Sequence, residues 1–265
     1  MLRRWRRSSR VKKGCRICRT CSLRCRVERW ADCLDKTQEK SFKMNDTVQT
    51  NALILKELEK SRKLPQIDKQ HHLVFEKGEN DFDTSRYFYF IISGKIKVSE
   101  INLENGHEQT LYLLSSGDMF EVTTLLDRKP HDYMIDVLER SEVIAVPIES
   151  VRELLHEDPS FQSFFFPYVA EQLRAMENLA VDLSLYSVYQ RIIRLFARFV
   201  DNTGSKPNLK LLENFSHEEL ASMVGSVRKV VNRALQKLKQ EGVIDLSRKQ
   251  LKLTNLQKLL DKLDF

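Results

Sequence analysis

Residues 216–242 read SHEELASMVGSVRKVVNRALQKLKQEG, and this stretch decides the fold. Ser216 is suited to the start of a helix, and Glu219 three residues later can complete a capping box with it. Gly225 then provides a sharp turn, after which a second helix follows from about Ser226. Apolar residues of that helix recur at offsets of zero, three, four and seven, so they define one buried face. They are Val231, Ala234, Leu235 and Leu238.

The opposite face of the second helix is polar and basic. It carries Arg228, Lys229, Asn232, Arg233 and Gln236. Taken alone, such a stripe is more often the charged, solvated face of a helical bundle. Because it follows a capped helix and a sharp turn, the order favours a helix-turn-helix whose second helix lies in the major groove of DNA. The predicted DNA contacts from these two helices are Ser216, Ser226, Arg228, Lys229, Asn232 and Arg233.

A two-stranded wing is predicted after the second helix. Residues 243–246 and 251–253 form short runs rich in apolar side chains, with a turn between them. Arg248 and Lys249 make the tip of this turn basic, which suits contacts with phosphate. Residues 187–265 are therefore predicted to form a winged helix-turn-helix domain that binds DNA.

Residues 159–186 are predicted to form one long helical segment. Asp158 and Pro159 are typical of a helix start, and no glycine occurs before the end of the segment. Pro167 is expected to interrupt or restart the helix. Such a segment packs either within its own chain or against the same helix of a second protomer. Its apolar face, with spacings of three and four, comprises Leu173, Met176, Leu179 and Leu183.

The region from about His72 to Pro147 reads as short strands separated by recurrent turn signals, including Asn105-Gly106 as a tight hairpin. Strands at this spacing predict an antiparallel sandwich or jelly roll. The fold class is therefore α+β, with an N-terminal antiparallel β-roll in residues 44–158, a long helix, and a C-terminal winged helix-turn-helix.

Three segments of the predicted roll resemble, in their order, the effector domain of the Crp/Fnr family of transcription regulators. They are FEKG at 75–78, FYFIISGKIKV at 88–98 and LLSSGDMF at 113–120. Residues 216–235 resemble the winged helix-turn-helix of the same family, so the resemblance spans most of the chain. It implies that residues 159–186 are a dimerisation helix and that a homodimer binds double-stranded DNA at a near-palindromic operator. RNA polymerase is implied as a further partner.

The resemblance also assigns base contacts. Arg228 and Arg233 fall where relatives place base-contacting arginines, which can bind guanine through two hydrogen bonds. Lys229 replaces the usual acidic or small polar residue between them, and Val227 replaces a common serine. We therefore expect an operator that differs from the best-known half-site of the family.

The effector pocket departs from that of nucleotide-binding members, which carry a Gly-Glu pair and, about a dozen residues later, an Arg-Ser or Arg-Thr pair. A cyclic phosphate needs backbone N–H donors and a guanidinium, so carboxylates in their place would repel it. The long helix also lacks the small hydroxyl residues that those relatives offer to the base. We expect no cyclic nucleotide of the usual kind. The residues at these positions, which form the predicted effector pocket, are Glu121, Val122, His131, Asp132, Met176 and Glu177.

All five cysteines of the chain lie near its N-terminus, and four are spaced like the ligands of a ferredoxin-type iron–sulfur cluster. They are Cys15, Cys18, Cys21 and Cys25. Zinc is the other metal that this spacing could hold. A metal- or redox-gated regulator is therefore one hypothesis, although the roll lacks the cysteine that oxygen-sensing relatives carry. Residues 1–43 are also Arg-rich and without apolar periodicity, so the competing interpretation is a disordered segment or an over-extended reading frame.

Other classes of function follow less well from the residues. Haem held by a histidine, and DNA binding without any cofactor or effector, remain open alternatives. A cupin-like enzyme would need histidine and carboxylate ligands on neighbouring strands, and because the roll has no such set we predict no enzyme.

Residues 1–43 hold 15 Lys and Arg against 4 Asp and Glu, a charge of +11, so the rest of the chain carries +7 − 11 = −4. A DNA-binding surface there has to be a local basic patch. No apolar run approaches the length of about 20 residues that spans a bilayer, and no apolar stretch follows the basic N-terminus. We therefore expect a cytoplasmic protein with no membrane partner.

Overall fold

The computed structural model describes residues 72–200, 208–247 and 250–263. All of them belong to one unit of the chain, Met44–Phe265. Six residues predicted to bind metal or DNA lie outside these ranges, namely Cys15, Cys18, Cys21, Cys25, Arg248 and Lys249.

The first half of the described chain forms one antiparallel sheet, which confirms the predicted roll. Its strands are β1 (His72–Phe75), β2 (Tyr87–Asn102), β3 (His107–Leu114), β4 (Met119–Phe120) and β5 (Met134–Pro147). The strand order is β1-β5-β2-β3, and β4 pairs with β2. The connection between β2 and β3 spans residues 103–106, so it is longer than the tight hairpin predicted from Asn105-Gly106.

The long central strands β2 and β5 bend where their register shifts, at Ser93 and Lys95. Gly94 lies between these two residues with φ at +97°, in the left-handed region that favours glycine. A Cβ atom there would come within 2.6 Å of the Cα atom of Ser141 on β5. Glycine is therefore required at this bend, because the backbones of the two strands approach too closely for a side chain.

Aromatic side chains fill one core of the roll. The ring of Phe82 stacks on that of Phe75 with 4.2 Å between centroids, and it meets the rings of Tyr89 and Phe120 edge-on at 5.1 and 6.2 Å. Phe75, Tyr89 and Phe120 are all buried. The chain thus packs its own rings inside the sheet, where they contribute both buried apolar area and specific ring geometry.

A buried ion cluster ties three strands together. Lys97 on β2 is only 5% exposed, and its Nζ atom lies 2.6 Å from Glu108 on β3 and 2.9 Å from Asp136 on β5. Burial alone would lower the pKa of Lys97, but the two carboxylates more than offset this and raise it. Removing Glu108 or Asp136 would leave the buried ammonium of Lys97 with only one carboxylate partner. The cluster therefore favours the observed pairing of these strands.

Three helices accompany the sheet: α1 (Val122–Asp127), α2 (Ile148–Glu157) and α3 (Pro159–Leu185). The predicted start of α3 is confirmed, since the Asp158 side chain accepts a hydrogen bond from Ser160 N at 2.9 Å. The prediction for Pro167 was wrong, because Pro167 lies inside α3 without interrupting it. An internal proline costs a helix about 3 kcal/mol. The buried residues on both sides of it hold the helix through packing: Phe161, Phe165 and Tyr168.

Tyr168 joins α3 to the sheet. Its hydroxyl donates to Met119 O and accepts from Met119 N, both at 2.9 Å, and the ring is 3% exposed. Burial raises the pKa of Tyr168 well above its ordinary value. The strand β4 is only two residues long, so these two bonds fix its position against the long helix.

The second half of the described chain has the predicted order of a winged helix-turn-helix. Its elements are α4 (Val188–Phe199), a 3-10 turn (Lys210–Leu212), α5 (His217–Met223), α6 (Arg228–Gln240), β6 (Ile244–Ser247), β7 (Gln250–Leu253) and α7 (Leu256–Leu260). Ser187 begins α4 through a capping box with Gln190. One apolar core unites these elements, with Phe196, Leu235 and Leu238 fully buried within it.

We predict that Tyr168→Phe lowers the free energy of unfolding by about 1–3 kcal/mol, because the substitution leaves buried backbone groups of Met119 without a partner. Urea denaturation of the two proteins measures the difference. Tyr87→Phe removes a hydroxyl from a partly exposed ring on β2 and should change the free energy by less than about 0.5 kcal/mol. Equal effects of the two substitutions would contradict the assigned role of Tyr168.

Candidate nucleic-acid interface and effector pocket

The first helix of the DNA-binding element, α5, begins as predicted. Glu219 N donates to Ser216 Oγ at 3.1 Å, and Ser216 N donates to Glu219 Oε2 at 2.5 Å, so both halves of the capping box are present. These bonds satisfy backbone N–H groups that the first turn of a helix leaves without partners. Leu220 and Met223 turn inward and are buried.

The second helix, α6, begins two residues later than predicted, because the turn before it is longer. Gly225 has φ at +59°, and Ser226 N donates to Ala221 O at 2.9 Å to close the turn. Val227 is the residue that precedes α6, and its side chain makes no capping bond. The predicted inward set is confirmed in full, with Val231, Ala234, Leu235 and Leu238 all buried.

The outward face of α6 presents the predicted polar stripe to solvent. Its five members are all exposed: Arg228, Lys229, Asn232, Arg233 and Gln236. Of the two predicted serines, Ser216 is exposed and Ser226 is partly buried in the turn. Six of the eight predicted DNA contacts thus lie on α6, in the turn before it or at the residue that caps α5, and the other two lie outside the described residues.

The wing packs beside α6 as an antiparallel pair, with Ile244 opposite Leu253 and Ser247 opposite Gln250. Lys239 on α6 donates to Leu246 O at 2.8 Å. Its Nζ atom also lies 3.5 Å from Asp245. Since these contacts hold β6 against the second helix, the wing and α6 form one surface.

The reader, defined here as α5, α6 and the wing, docks on the roll of its own chain through β3. The hydroxyls of Thr110 on β3 and Ser222 on α5 are hydrogen-bonded at 2.9 Å, and both residues are buried. Leu113, also on β3, packs against the apolar core of the reader. These contacts were not predicted, because no periodicity along the chain links residues that lie so far apart.

The turn of the reader lies close to the end of α3 and to β3. A Cβ atom on Gly225 would lie 2.4 Å from Leu183 at the end of α3 and 2.7 Å from the Gln109 side chain on β3. The roll, the long helix and the reader therefore meet at one glycine.

Arg191 on α4 holds this junction together. Its Nη1 atom donates to Val224 O at 2.9 Å, its Nε atom to Tyr186 O at 2.8 Å, and its Nη2 atom to Leu183 O at 3.3 Å. Sequence reasoning missed this residue. The available signal was an arginine next to the apolar face of α4, where a charged side chain needs partners.

A second ionic contact fixes the angle between α3 and α4. Asp182 is buried near the end of α3, with Arg194 Nε at 2.5 Å and Arg198 Nη2 at 2.7 Å. A carboxylate that lies out of water with two guanidinium partners resists any motion that separates them. The contact between α3 and α4 therefore includes a charge-assisted hydrogen bond from Arg194 and an ion pair with Arg198.

Glu121 occupies an unexpected position in the roll. Its backbone is left-handed, with φ at +72°, and the residue is only 2% exposed. Oε2 accepts from Thr124 Oγ1 at 2.5 Å, whereas Oε1 is buried without a partner in the described part of the chain. Burial raises the pKa of Glu121 to about 7, although the bond from Thr124 opposes the shift.

The other predicted effector residues are spread over three elements. Val122 begins α1, and His131 and Asp132 follow it in the connection to β5. The His131 ring stacks on Tyr133 at 5.1 Å between centroids. The last two predicted residues, Met176 and Glu177, lie on α3 about 12 Å beyond Tyr168 along the helix axis. No described contact joins these two residues to Glu121.

The surroundings of Glu121 differ from those expected from the sequence. Repulsion was expected from Glu121 and Asp132, but Asp132 is exposed and a Glu121 carboxyl with a pKa of about 7 is partly neutral near pH 7. The buried Glu121 side chain occupies a left-handed backbone position, where the resemblance places a glycine in nucleotide-binding relatives. In the described ranges, no group of three or more His, Cys, Asp or Glu residues is placed to hold a metal ion.

Comparison with known proteins agrees with this geometry. Residues 69–158 match the family profile of the cyclic nucleotide-binding domain, and residues 190–262 match that of the Crp-like helix-turn-helix domain. The CRP-like cAMP-activated global transcriptional regulator of Mycobacterium tuberculosis is 25% identical over 71% of this chain and 83% of its own. The cyclic AMP receptor protein of Thermus thermophilus is 28% identical over 62% and 73%. A transcriptional regulator of the CRP/FNR family from the same species has the same fold, with a TM-score of 0.59 at 19% identity over 73% and 98% of the two chains.

The fold and the site define a DNA-binding transcription regulator with a cyclic nucleotide-binding-like roll and a winged helix-turn-helix. The chain belongs to the Crp/Fnr family, since the two family profiles cover both halves of the described structure and its relatives are transcription regulators. Among the described residues, no helix has both the length and the apolar character that a membrane span requires.

We predict that Glu121 makes the protein less stable as pH rises. The unfolded carboxyl loses its proton near pH 4.5, whereas the folded one keeps it to about pH 7. The folded state binds more protons in this window, so the free energy of unfolding falls between these pH values, by on the order of 2–3 kcal/mol, and is flat above them. Urea denaturation from pH 4.5 to 8 measures the decline, and Glu121→Gln should lack it.

The comparison between wild type and Glu121→Gln isolates this carboxyl. Burial also raises the pKa of Asp118, to about 6, so some pH dependence remains in both proteins. Glu153→Gln on the exposed face of α2 removes the same charge without burial and should retain the full decline. A constant stability difference between wild type and Glu121→Gln across the window would refute the assignment.

Proposed function

We propose that this regulator acts as a homodimer that places α6 of each protomer in the major groove of one half-site of a near-palindromic operator. The observation that carries the proposal is the exposed basic stripe on α6, which projects from a reader whose turn is seated against α3 and the roll. Arg228 and Arg233 are proposed to bind guanine, and Lys229 to prefer guanine or phosphate. Ser216 and the basic wing tip, Arg248 and Lys249, are proposed to contact phosphate.

Support for the homodimer comes from the unburied apolar surface of α3. Beyond Tyr168, the next buried residue of α3 is Asp182. Large apolar side chains are exposed along the helix: Phe166, Leu173, Val181 and Leu185. A row of this kind on a long helix is typical of a surface that a second copy covers. RNA polymerase is the further partner we propose for the DNA-bound dimer.

For the effector, we propose that no cyclic nucleotide of the usual kind is bound. The relative from Mycobacterium tuberculosis is named as cAMP-activated, but here Glu121 fills the pocket position that the phosphate needs. Effector-independent DNA binding is the second candidate, and the rings of Phe82, Tyr89 and Phe120 inside the roll favour it. A metal-gated regulator would depend on Cys15, Cys18, Cys21 and Cys25.

The proposed function predicts that the full-length protein, without added ligand, selects a palindromic site from a pool of random duplexes. Arg228→Ala should relax the selection at one base pair in each half-site, which corresponds to a loss of about 1–3 kcal/mol at that position. Equal losses on selected and random duplexes would contradict base reading by Arg228.

The same selection separates the candidates for the effector. Recovery of the site by a protein that starts at Met44 would show that the cysteines are dispensable, whereas recovery only by anaerobically prepared full-length protein would favour the metal-gated alternative. Recovery of no site under either condition would contradict effector-independent binding.

We predict that Leu173→Glu separates the homodimer into monomers, because it places like charges in the apolar surface between two α3 helices. Sedimentation velocity measures the change. Leu103→Glu serves as the matched control, since it makes the same substitution away from α3, at a leucine of the β2–β3 connection that is 93% exposed. A dimer that survives Leu173→Glu at low micromolar concentration would place the protomer contact elsewhere.

A further inference from the structure

Glu218 on α5 contacts one of the residues proposed to read DNA. Its Oε1 atom lies 2.7 Å from Nη1 of Arg228, the first residue of α6. The two side chains are 58% and 67% exposed. The pair therefore lies open to solvent, at the end of α6 that enters the groove first in a helix-turn-helix.

An acidic side chain in this place would oppose DNA binding, because the DNA backbone carries negative phosphates. The neighbouring Glu219 is engaged in the capping box, where its carboxylate stabilises the start of α5. Glu218 is engaged instead with Arg228, so its effect on DNA binding acts through that side chain.

We propose that Glu218 is a positioning residue that determines specificity: it orients Arg228 toward guanine and weakens the attraction of Arg228 to phosphate. The inference rests on the proposed base-reading role of Arg228.

The orienting effect follows from the donors of arginine. A guanidinium carries five N–H donors in one plane, and Glu218 engages the Nη1 atom. The edge formed by Nε and Nη2 remains for guanine, whose O6 and N7 atoms accept two parallel hydrogen bonds. Because the ion pair already restricts the rotamers of Arg228 before DNA arrives, less conformational entropy is lost on binding.

The effect on random DNA has the opposite sign. A duplex without the correct base offers Arg228 only phosphate, and the attraction depends on net charge near the phosphate. The Glu218 carboxylate offsets part of the attraction between Arg228 and phosphate, so Arg228 contributes less to binding random DNA. The orientation of Arg228 strengthens binding to the operator. The weaker attraction of Arg228 to phosphate reduces binding to random sequence. Both effects raise the ratio of specific to non-specific affinity.

The test measures dissociation constants of the full-length protein for the selected palindrome and for a scrambled duplex of the same length. Glu218→Gln keeps a hydrogen-bond acceptor without the charge, so it should tighten binding to the scrambled duplex about three-fold. Glu218→Ala also loses the orientation, so the ratio of the two affinities should fall about five-fold. With Arg228→Ala already present, Glu218→Ala should leave the ratio unchanged.

Glu153→Gln on α2 is the charge-matched control, and it should leave the ratio at the wild-type value. Thermal unfolding followed by circular dichroism checks that each variant folds. An unchanged ratio in Glu218→Ala, or an equal fall with and without Arg228, would overturn the inference alone. If Arg228→Ala itself leaves the ratio unchanged, the proposed base reader fails, and the inference fails with it.

Discussion

The guanidinium of Arg191 lies among backbone carbonyls from separate helices, and the orientation of the reader depends on it. The last carbonyls of a helix have no intrahelical donor. Those of Leu183 and Tyr186 near the end of α3, and that of Val224 after α5, receive their donors from this one side chain. Because a guanidinium is planar and rigid, its bonds fix angles as well as distances. Gly225 lies beside it with φ at +59°, and a side chain there would require Leu183 and Gln109 to move.

Around this junction, polar contacts connect the roll to the reader through α3 and α4. Tyr168 fixes β4 against α3, and β4 leads directly into Glu121. At the other end of α3, Asp182 binds the arginines of α4. The buried bond between Thr110 and Ser222 provides a second, direct contact between the sheet and α5. The roll is therefore joined to the reader both along α3 and across β3.

Short-range sequence patterns correctly predicted the features that depend on neighbouring residues, namely the buried face of a helix and its capped start. The spacing of Val231, Ala234, Leu235 and Leu238 predicted the buried face of α6, and the residues 216 and 219 predicted its capped neighbour. The features that the sequence did not predict depend on contacts between distant parts of the chain. Packing of three aromatic side chains overrides the helix-breaking tendency of Pro167. The burial of Lys97 follows from strand pairing that no periodicity reveals. Arg191 was missed for the same reason, since the carbonyls it binds come from distant parts of the chain.

The rigid seating of the reader has a consequence for the spacer between half-sites. In the proposed dimer, each α6 is held at a fixed angle to its own α3, so the separation of the two recognition helices is set by the protein and not by the DNA. One extra base pair in the spacer moves a half-site by about 3.4 Å along the duplex axis and turns it by about 34°. A reader on a flexible tether would follow this displacement. A reader held by Arg191 and confined at Gly225 would have to bend the duplex or give up one half-site, so the length of the spacer becomes as much a part of the recognised signal as the bases themselves.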